Sequence, residues 1–243
     1  MMDGSARDKD FVAVRHDSAD RQVAGDARYA DDGLEPPGMV HLALGLSKIA
    51  YGFVSGGDLH LIRNAPGVVA VFTADDVPGI NDTGPVIHDE PAFALSEETG
   101  ADVSYQGQCL FAVVADTREA ARAAVRLTNL EYSENSPILS IDEAIQAKSF
   151  LSEPYRMARG DAGRAIDRAA HTLKGQMEIG GQDHFYLEGQ IAVATPGEND
   201  EIHVLSSTQH PSEVQKVVAE NLALPLNTVT VEVRRMGGGF GGK

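Results

Sequence analysis

Five glycines and one phenylalanine close the sequence, as Met236-Gly237-Gly238-Gly239-Phe240-Gly241-Gly242-Lys243. Residues without a Cβ let backbone N–H groups come close to a ligand and adopt positive φ. A run of such amides suits an anionic or oxo ligand. Three uses of the loop stand open on the residues alone. It is a flexible connector, although connectors more often carry Ser and polar residues than a lone Phe after a strong strand. It is the first half of a phosphate-binding loop, since Gly237, Gly242 and Lys243 fit G-x-x-x-x-G-K-[ST] after a strand. It is one wall of a cofactor site. A second stretch with chemical potential is Gly180-Gly181-Gln182-Asp183-His184-Phe185-Tyr186-Leu187-Glu188. Taken singly, Gln182 reads as a surface residue after a strand end and Phe240 as a core residue. His41, His60, His88, His171, His203 and His210 show no metal-ligand spacing.

The elements that must position these residues follow from periodicity. Val229, Val231 and Val233 alternate with Thr228, Thr230 and Glu232, so a strand runs straight into the glycines. Before it, Pro211 suits the first turn of a helix, with Val214, Val217, Val218 and Leu222 on one face. Strands are predicted at 201–206 and 186–195. Leu173, Met177 and Ile179 alternate with Lys174, Gln176 and Glu178, a half-buried strand pattern that breaks at Gly180-Gly181. Helices are predicted over 161–170 and, shorter, over 141–148.

The first half reads differently. Residues 109–115 are a continuous apolar strand, Asp116 or Thr117 caps a helix bearing Ala121, Ala124, Val125 and Thr128 on one face, and 130–132 returns as a strand. This β–α–β pattern is expected to lie buried between layers. Strands are also predicted at 39–46, 49–54 and 68–72, with one more at 11–14. A short helix is predicted over 57–64, and a capping box at Thr73 and Asp76. Residues 79–106 read as loop.

Composition bounds the function classes. The chain has 243 residues, 42% of them hydrophobic, enough for a packed core. Acidic residues number 36 against 20 basic, a formal net charge of -16. Such a surface repels phosphate backbones and anionic lipid, so neither nucleic acid nor membrane is expected as a primary partner. No apolar run approaches the ~20 residues of a membrane span. The polar first ten residues carry no apolar signal core, so the cytoplasm is the expected location. The single cysteine, Cys109, excludes an internal disulfide framework and a cysteine-only metal or iron–sulfur site within the chain.

Two stretches together, Gly180 to Glu188 and Arg234-Arg235-Met236-Gly237-Gly238-Gly239-Phe240-Gly241-Gly242-Lys243, resemble signature segments of the molybdenum hydroxylases, the xanthine dehydrogenase and aldehyde oxidase family. Ser206-Ser207-Thr208-Gln209-His210-Pro211 is similar to the family as well. Gly25-Asp26-Ala27-Arg28-Tyr29, Pro66 to Val71, Asp76-Val77-Pro78-Gly79 and Gly107-Gln108 resemble its α/β hammerhead domain, in the family's order. The resemblance covers most of residues 15–243 and leans toward bacterial xanthine dehydrogenases.

The resemblance implies a mixed α/β (α+β) fold. A flexible arm at 1–15 would precede the hammerhead domain at 16–135. A linker at 136–158 would lead to the start of a molybdopterin-binding domain at 159–243. It implies molybdenum-molybdopterin as cofactor, with Gln182 bonded to an oxo ligand of the metal and Gly239, Phe240 and Gly241 lining the cofactor. No residue of this chain is expected to ligate molybdenum directly. The 2Fe-2S clusters and FAD would sit on a partner chain or on further segments, in a hetero-oligomer with an iron–sulfur/FAD subunit. The implied reaction hydroxylates a purine (hypoxanthine and xanthine to urate), or an aldehyde carbon, with oxygen from water. The general-base glutamate is expected beyond Lys243, so no catalytic residue is assigned within the chain and the fragment alone is expected to be inactive. Asp183 stands where the family has glutamate and receives no catalytic role. Glu188 is read as a structural acid and His184 as a packing residue. Two readings of other classes stand beside this one: a nucleotide-binding P-loop protein, and a non-catalytic interaction module using the acidic surface.

Overall fold

A computed structural model describes residues 14–33 and 35–243. These form two compact units. One runs from Pro37 to Asp183 and takes in Glu220–Ala223; the other joins the described residues up to Pro36 with His184–Ala219 and Leu224–Lys243. The strand expected at 11–14 lies, except for Val14, outside the described residues.

The first of these units holds two three-stranded antiparallel sheets. In one, β1 (His41–Leu46) and β3 (Val68–Phe72) flank β5 (Cys109–Ala115). In the other, β4 (Ala101–Val103) and β6 (Leu130–Glu134) flank β2 (Gly52–Gly57). The uninterrupted apolar run of β5 has a clear cause: it is a central strand, and Leu110, Phe111, Ala112, Val113 and Ala115 are all buried. The edge strand β1 alternates instead, with Gly45 inward and Leu42, Leu44 and Leu46 exposed. Helix α3 (Arg118–Val125), which follows α1 (Ala19–Ala24) and α2 (His60–Arg63) in the chain, packs on β1 and β5 through Ala121 and Ala124, and Thr117 Oγ1 caps it by accepting from Ala120 N at 3.1 Å. The capping box is present, with Thr73 N donating to Asp76 Oδ2 at 2.8 Å. Gln108 is buried and satisfied, accepting from Ser104 N and donating to Asp102 O. Burial pushes the Cys109 thiol up to about 11, so it stays protonated at neutral pH.

The other unit holds β7 (Ala192–Pro196), β8 (Ile202–Ser206) and β9 (Val229–Glu232). β8 is central, antiparallel to β7 and parallel to β9. A parallel pair needs a crossover, and helix α6 (Pro211–Asn221), which follows α4 (Ile141–Ala147) and α5 (Ala162–Asp167) in the chain, supplies it. This β8–α6–β9 unit delivers the glycine loop directly from the end of β9.

Several expectations are corrected. The pattern over 109–132 is not one β–α–β layer, because β5 and β6 belong to different sheets. Strand β4 falls inside the predicted loop of 79–106; its three residues are too few to show periodicity. β2 is displaced toward its C-terminal side of the predicted 49–54. The helix at 57–64 shrinks to His60–Arg63, and the strand at 186–195 begins only at Ala192. The 173–179 stretch is not a strand. Its backbone makes no hydrogen bond among the described residues, and Leu173, Met177 and Ile179 stand exposed. Alternation makes a segment suited to a sheet, but pairing needs an adjacent edge, and none pairs with it among the described residues. In native-state hydrogen exchange, the amides of 172–183 are therefore expected to exchange orders of magnitude faster than those of β5. Equal protection in both peptides would contradict the extended, unpaired conformation.

Candidate functional site

β8 ends in a buried polar run, Ser206, Ser207 and Thr208. Each hydroxyl is used. Ser207 Oγ accepts from Ile191 N at 3.1 Å and donates to Gly189 O at 3.2 Å, which holds the chain at 189–191 beside the strand end. Ser206 Oγ accepts from Thr208 N, and Thr208 Oγ1 accepts from His210 N, turning the chain into α6. Gln209 is left projecting at this turn, and it grips the glycine loop twice. Its backbone N–H donates to Lys243 O at 3.3 Å, and its Oε1 accepts from Gly241 N at 2.9 Å.

Residues 184–190 form the opposite side of the cradle. Gln190 Nε2 donates to Gly242 O at 2.7 Å and to Tyr186 Oη at 2.9 Å. The His184 ring stacks on Tyr186 at a centroid distance of 6.3 Å, and Lys243 Nζ sits 4.9 Å from the Tyr186 ring centroid. Glu188 Oε2 accepts from both Gly237 N at 2.7 Å and Lys243 Nζ at 3.0 Å. The side chains of Lys243 and Glu188 are 1% and 7% exposed, so this is a buried ion pair. Below the loop, Arg235 donates through Nε to Ser18 Oγ and through Nη1 to Arg28 O.

The loop thus spends its amides unevenly. Gly237 donates to Glu188, Gly241 to Gln209, and Gly242 to Gly239 O at 2.8 Å. Among the described residues, the N–H groups of Gly238, Gly239 and Phe240 have no protein acceptor. Phe240 has φ of +54° and is 75% exposed, so it is no core residue. A non-glycine residue in the left-handed region, with its aromatic ring in solvent, marks a backbone shaped for something other than packing.

Of the residues singled out from the sequence, Gly239, Phe240 and Gly241 lie together in this loop. Gln182 falls in the other unit, exposed, with no side-chain hydrogen bond among the described residues. The half-P-loop reading fails on Lys243. A phosphate-binding lysine must reach its ligand, but this one is buried against Glu188. Sequence reasoning missed Gln190 and Gln209 as loop supports. Gln209 stood inside a quoted motif, but nothing in its spacing indicated a partner 32 positions away.

Residues 24–136 match the family model of the aldehyde oxidase and xanthine dehydrogenase a/b hammerhead domain, and residues 145–243 that of the molybdopterin cofactor-binding domain. The chain is 44% identical to a xanthine dehydrogenase of Oryza sativa subsp. japonica, over 95% of this chain and 17% of that protein. It is 39% identical to the xanthine dehydrogenase/oxidase of Gallus gallus, over 94% of this chain and 16% of that protein. It superposes on quinoline 2-oxidoreductase from Pseudomonas putida 86 with a TM-score of 0.76 and 26% identity, covering 94% of this chain and 30% of that one. The aldehyde oxidoreductase from Desulfovibrio gigas gives a TM-score of 0.76 and 25% identity, covering 93% and 26%. The chain spans about one sixth of the length of the curated relatives it matches.

Proposed function

Because the chain belongs to the xanthine dehydrogenase and aldehyde oxidase family of molybdenum hydroxylases, we propose that it forms part of the molybdopterin-binding portion of a purine-hydroxylating oxidoreductase. The observation that carries this is the glycine loop. Its ends and flanks are pinned by Glu188, Gln190 and Gln209, while the Gly238, Gly239 and Phe240 amides are left uncommitted. Three consecutive unpaired backbone donors on a held loop suit an oxo-rich, anionic cofactor. Gly239, Phe240 and Gly241 line it on this reading, and the side-chain amide of Gln182 adds a neutral donor.

When bound, the molybdenum cofactor supplies the two-electron chemistry by which oxygen from water reaches the substrate carbon. This chain's residues supply orientation. The backbone donors at 238, 239 and 240 would hold the cofactor, and the exposed Phe240 ring would offer an apolar face to a planar substrate. Proton transfer is assigned to a glutamate outside residues 1–243. The 2Fe-2S clusters and FAD belong to an iron–sulfur/FAD subunit or to further segments, and the working complex is a hetero-oligomer. We place the domain division at 16–135 and 159–243, with an arm at 1–15 and a linker at 136–158, and the complex in the cytoplasm. Among the described residues no helix is long and apolar enough to cross a membrane. Purine is preferred to aldehyde as substrate because the 44% identity is to a xanthine dehydrogenase, against 25% to the aldehyde oxidoreductase.

The experiment is metal analysis and kinetics on the full subunit with its partners. Molybdenum is expected in the purified complex. Gln182→Ala is expected to lower kcat for xanthine by roughly 10–100-fold with unchanged secondary structure, as for other groups that bond to a metal's ligands. A complex devoid of molybdenum, or unaltered kinetics in the variant, would sink the reading. The 243-residue chain alone is expected to give no xanthine-dependent NAD reduction.

A further inference from the structure

We propose that Glu188 is the positioning residue that shapes the glycine loop, acting as a clasp between its first and last residues. The proposal rests on the cofactor reading above for its functional consequence, but not for its structural one.

The geometry is specific. Gly237 opens the loop and Lys243 follows its last glycine, and a single oxygen, Glu188 Oε2, accepts from both at 2.7 and 3.0 Å. Glu188 N donates back to Gly237 O at 3.4 Å, so Gly237 is held on both its backbone groups. The other carboxylate oxygen accepts from Ala30 N at 3.4 Å, which ties the clasp to the N-terminal segment of the same unit. A Cβ on Gly237 would lie 2.5 Å from Glu188 Cβ, so the two backbones approach too closely for any side chain between them.

The chemistry explains why a carboxylate stands here. A carboxylate is an acceptor only, with room for several donors on its oxygens. It can therefore close a loop by taking an amide and an ammonium at once, and its charge is matched by Lys243 in a site with little water. Lys243 is held in turn by the Tyr186 ring. With both ends fastened, the intervening residues have few conformations left, and Gly238 and Phe240 keep their positive φ. Glu188 touches none of the unpaired amides of Gly238, Gly239 and Phe240. It acts through the loop's ends.

The test uses hydrogen exchange in the 243-residue chain and metal content in the full subunit. Glu188→Met keeps the side chain's length but removes every acceptor. Exchange in the 236–243 peptide is expected to quicken at least ~10-fold, while the amides of β5 in the other unit stay protected. Glu188→Gln keeps an acceptor for Gly237 and is expected to restore most of that protection. Should Glu188→Met fail to fold, Lys243→Met carries the test, since it opens the same clasp from the other end. Unchanged exchange at 236–243 in both folded variants, or Glu188→Gln behaving as Glu188→Met does, would overturn the clasp. In the full subunit, Glu188→Met is expected to lower molybdenum per subunit at least ~10-fold while Glu188→Gln retains most of it. Molybdenum retained in full by Glu188→Met would overturn the link between clasp and cofactor. A wild-type subunit without molybdenum would overturn the cofactor reading alone, and the exchange result would still decide the clasp.

Discussion

Replacing Phe111 by alanine is expected to lower the unfolding free energy by about 3–5 kcal/mol. Phe111 sits on the central strand β5 and is 1% exposed. Its cross-strand neighbour is Gly45, and a Cβ built there would meet the Phe111 ring carbons at 2.2 Å. The ring therefore fills the place where Gly45 has no side chain. Removing it leaves a void that Gly45 cannot fill, bordered by strands whose register is fixed by hydrogen bonds. The predicted loss is a large share of the ~5–15 kcal/mol that holds a typical domain. Urea unfolding followed by far-UV circular dichroism measures it, and a loss below ~1 kcal/mol would contradict this account of the core. The converse change tests the same contact. Gly45→Ala alone overpacks the site and is expected to cost about 1–3 kcal/mol. The double variant Gly45→Ala/Phe111→Ala should lose less than the sum, because the new methyl enters the vacated space.

The second large effect is expected in the loop, and it is functional more than structural. At Gly239 a Cβ would lie 2.6 Å from Gln209 Oε1 and 3.0 Å from Met236 Sδ. Both are ends of flexible side chains, so the fold can give way. The cost falls on what Gln209 was holding: as its Oε1 withdraws, the Gly241 amide loses its acceptor. Gly239→Ala is thus expected to cost only about 1 kcal/mol of stability, yet to lower molybdenum retention in the full subunit roughly 10–100-fold. Gly175→Ala is the control, since a Cβ there meets nothing within 4 Å. Equal molybdenum in the two variants would show that the Gln209–Gly241 bond does not shape the site.

The two halves of the chain were legible to different degrees. The strand at Cys109–Ala115 was read with its bounds, because burial on both faces writes an uninterrupted apolar run. The strand entering the glycines and the helix begun by Pro211 were read because their apolar residues are strongly periodic. The alternation at 173–179 was as regular, yet it produced no strand, since its partner edge is absent among the described residues. The partition of β5 and β6 into separate sheets was equally invisible, because a linear pattern does not say which edge a strand will join.

At the site the same division holds. The stretches at 180–188 and 234–243 were enough to mark the family, because together they resemble its signature segments. Which loop amides remain free was decided only in three dimensions. Glu188 meets Lys243 across 55 positions, Gln190 meets Gly242 across 52 and Gln209 meets Gly241 across 32. Hydrogen bonds at such separations leave no period in a sequence. They arise when β8, α6 and β9 bring the strand ends together, and they turn a run of glycines into a loop of one shape with the amides of Gly238, Gly239 and Phe240 unpaired.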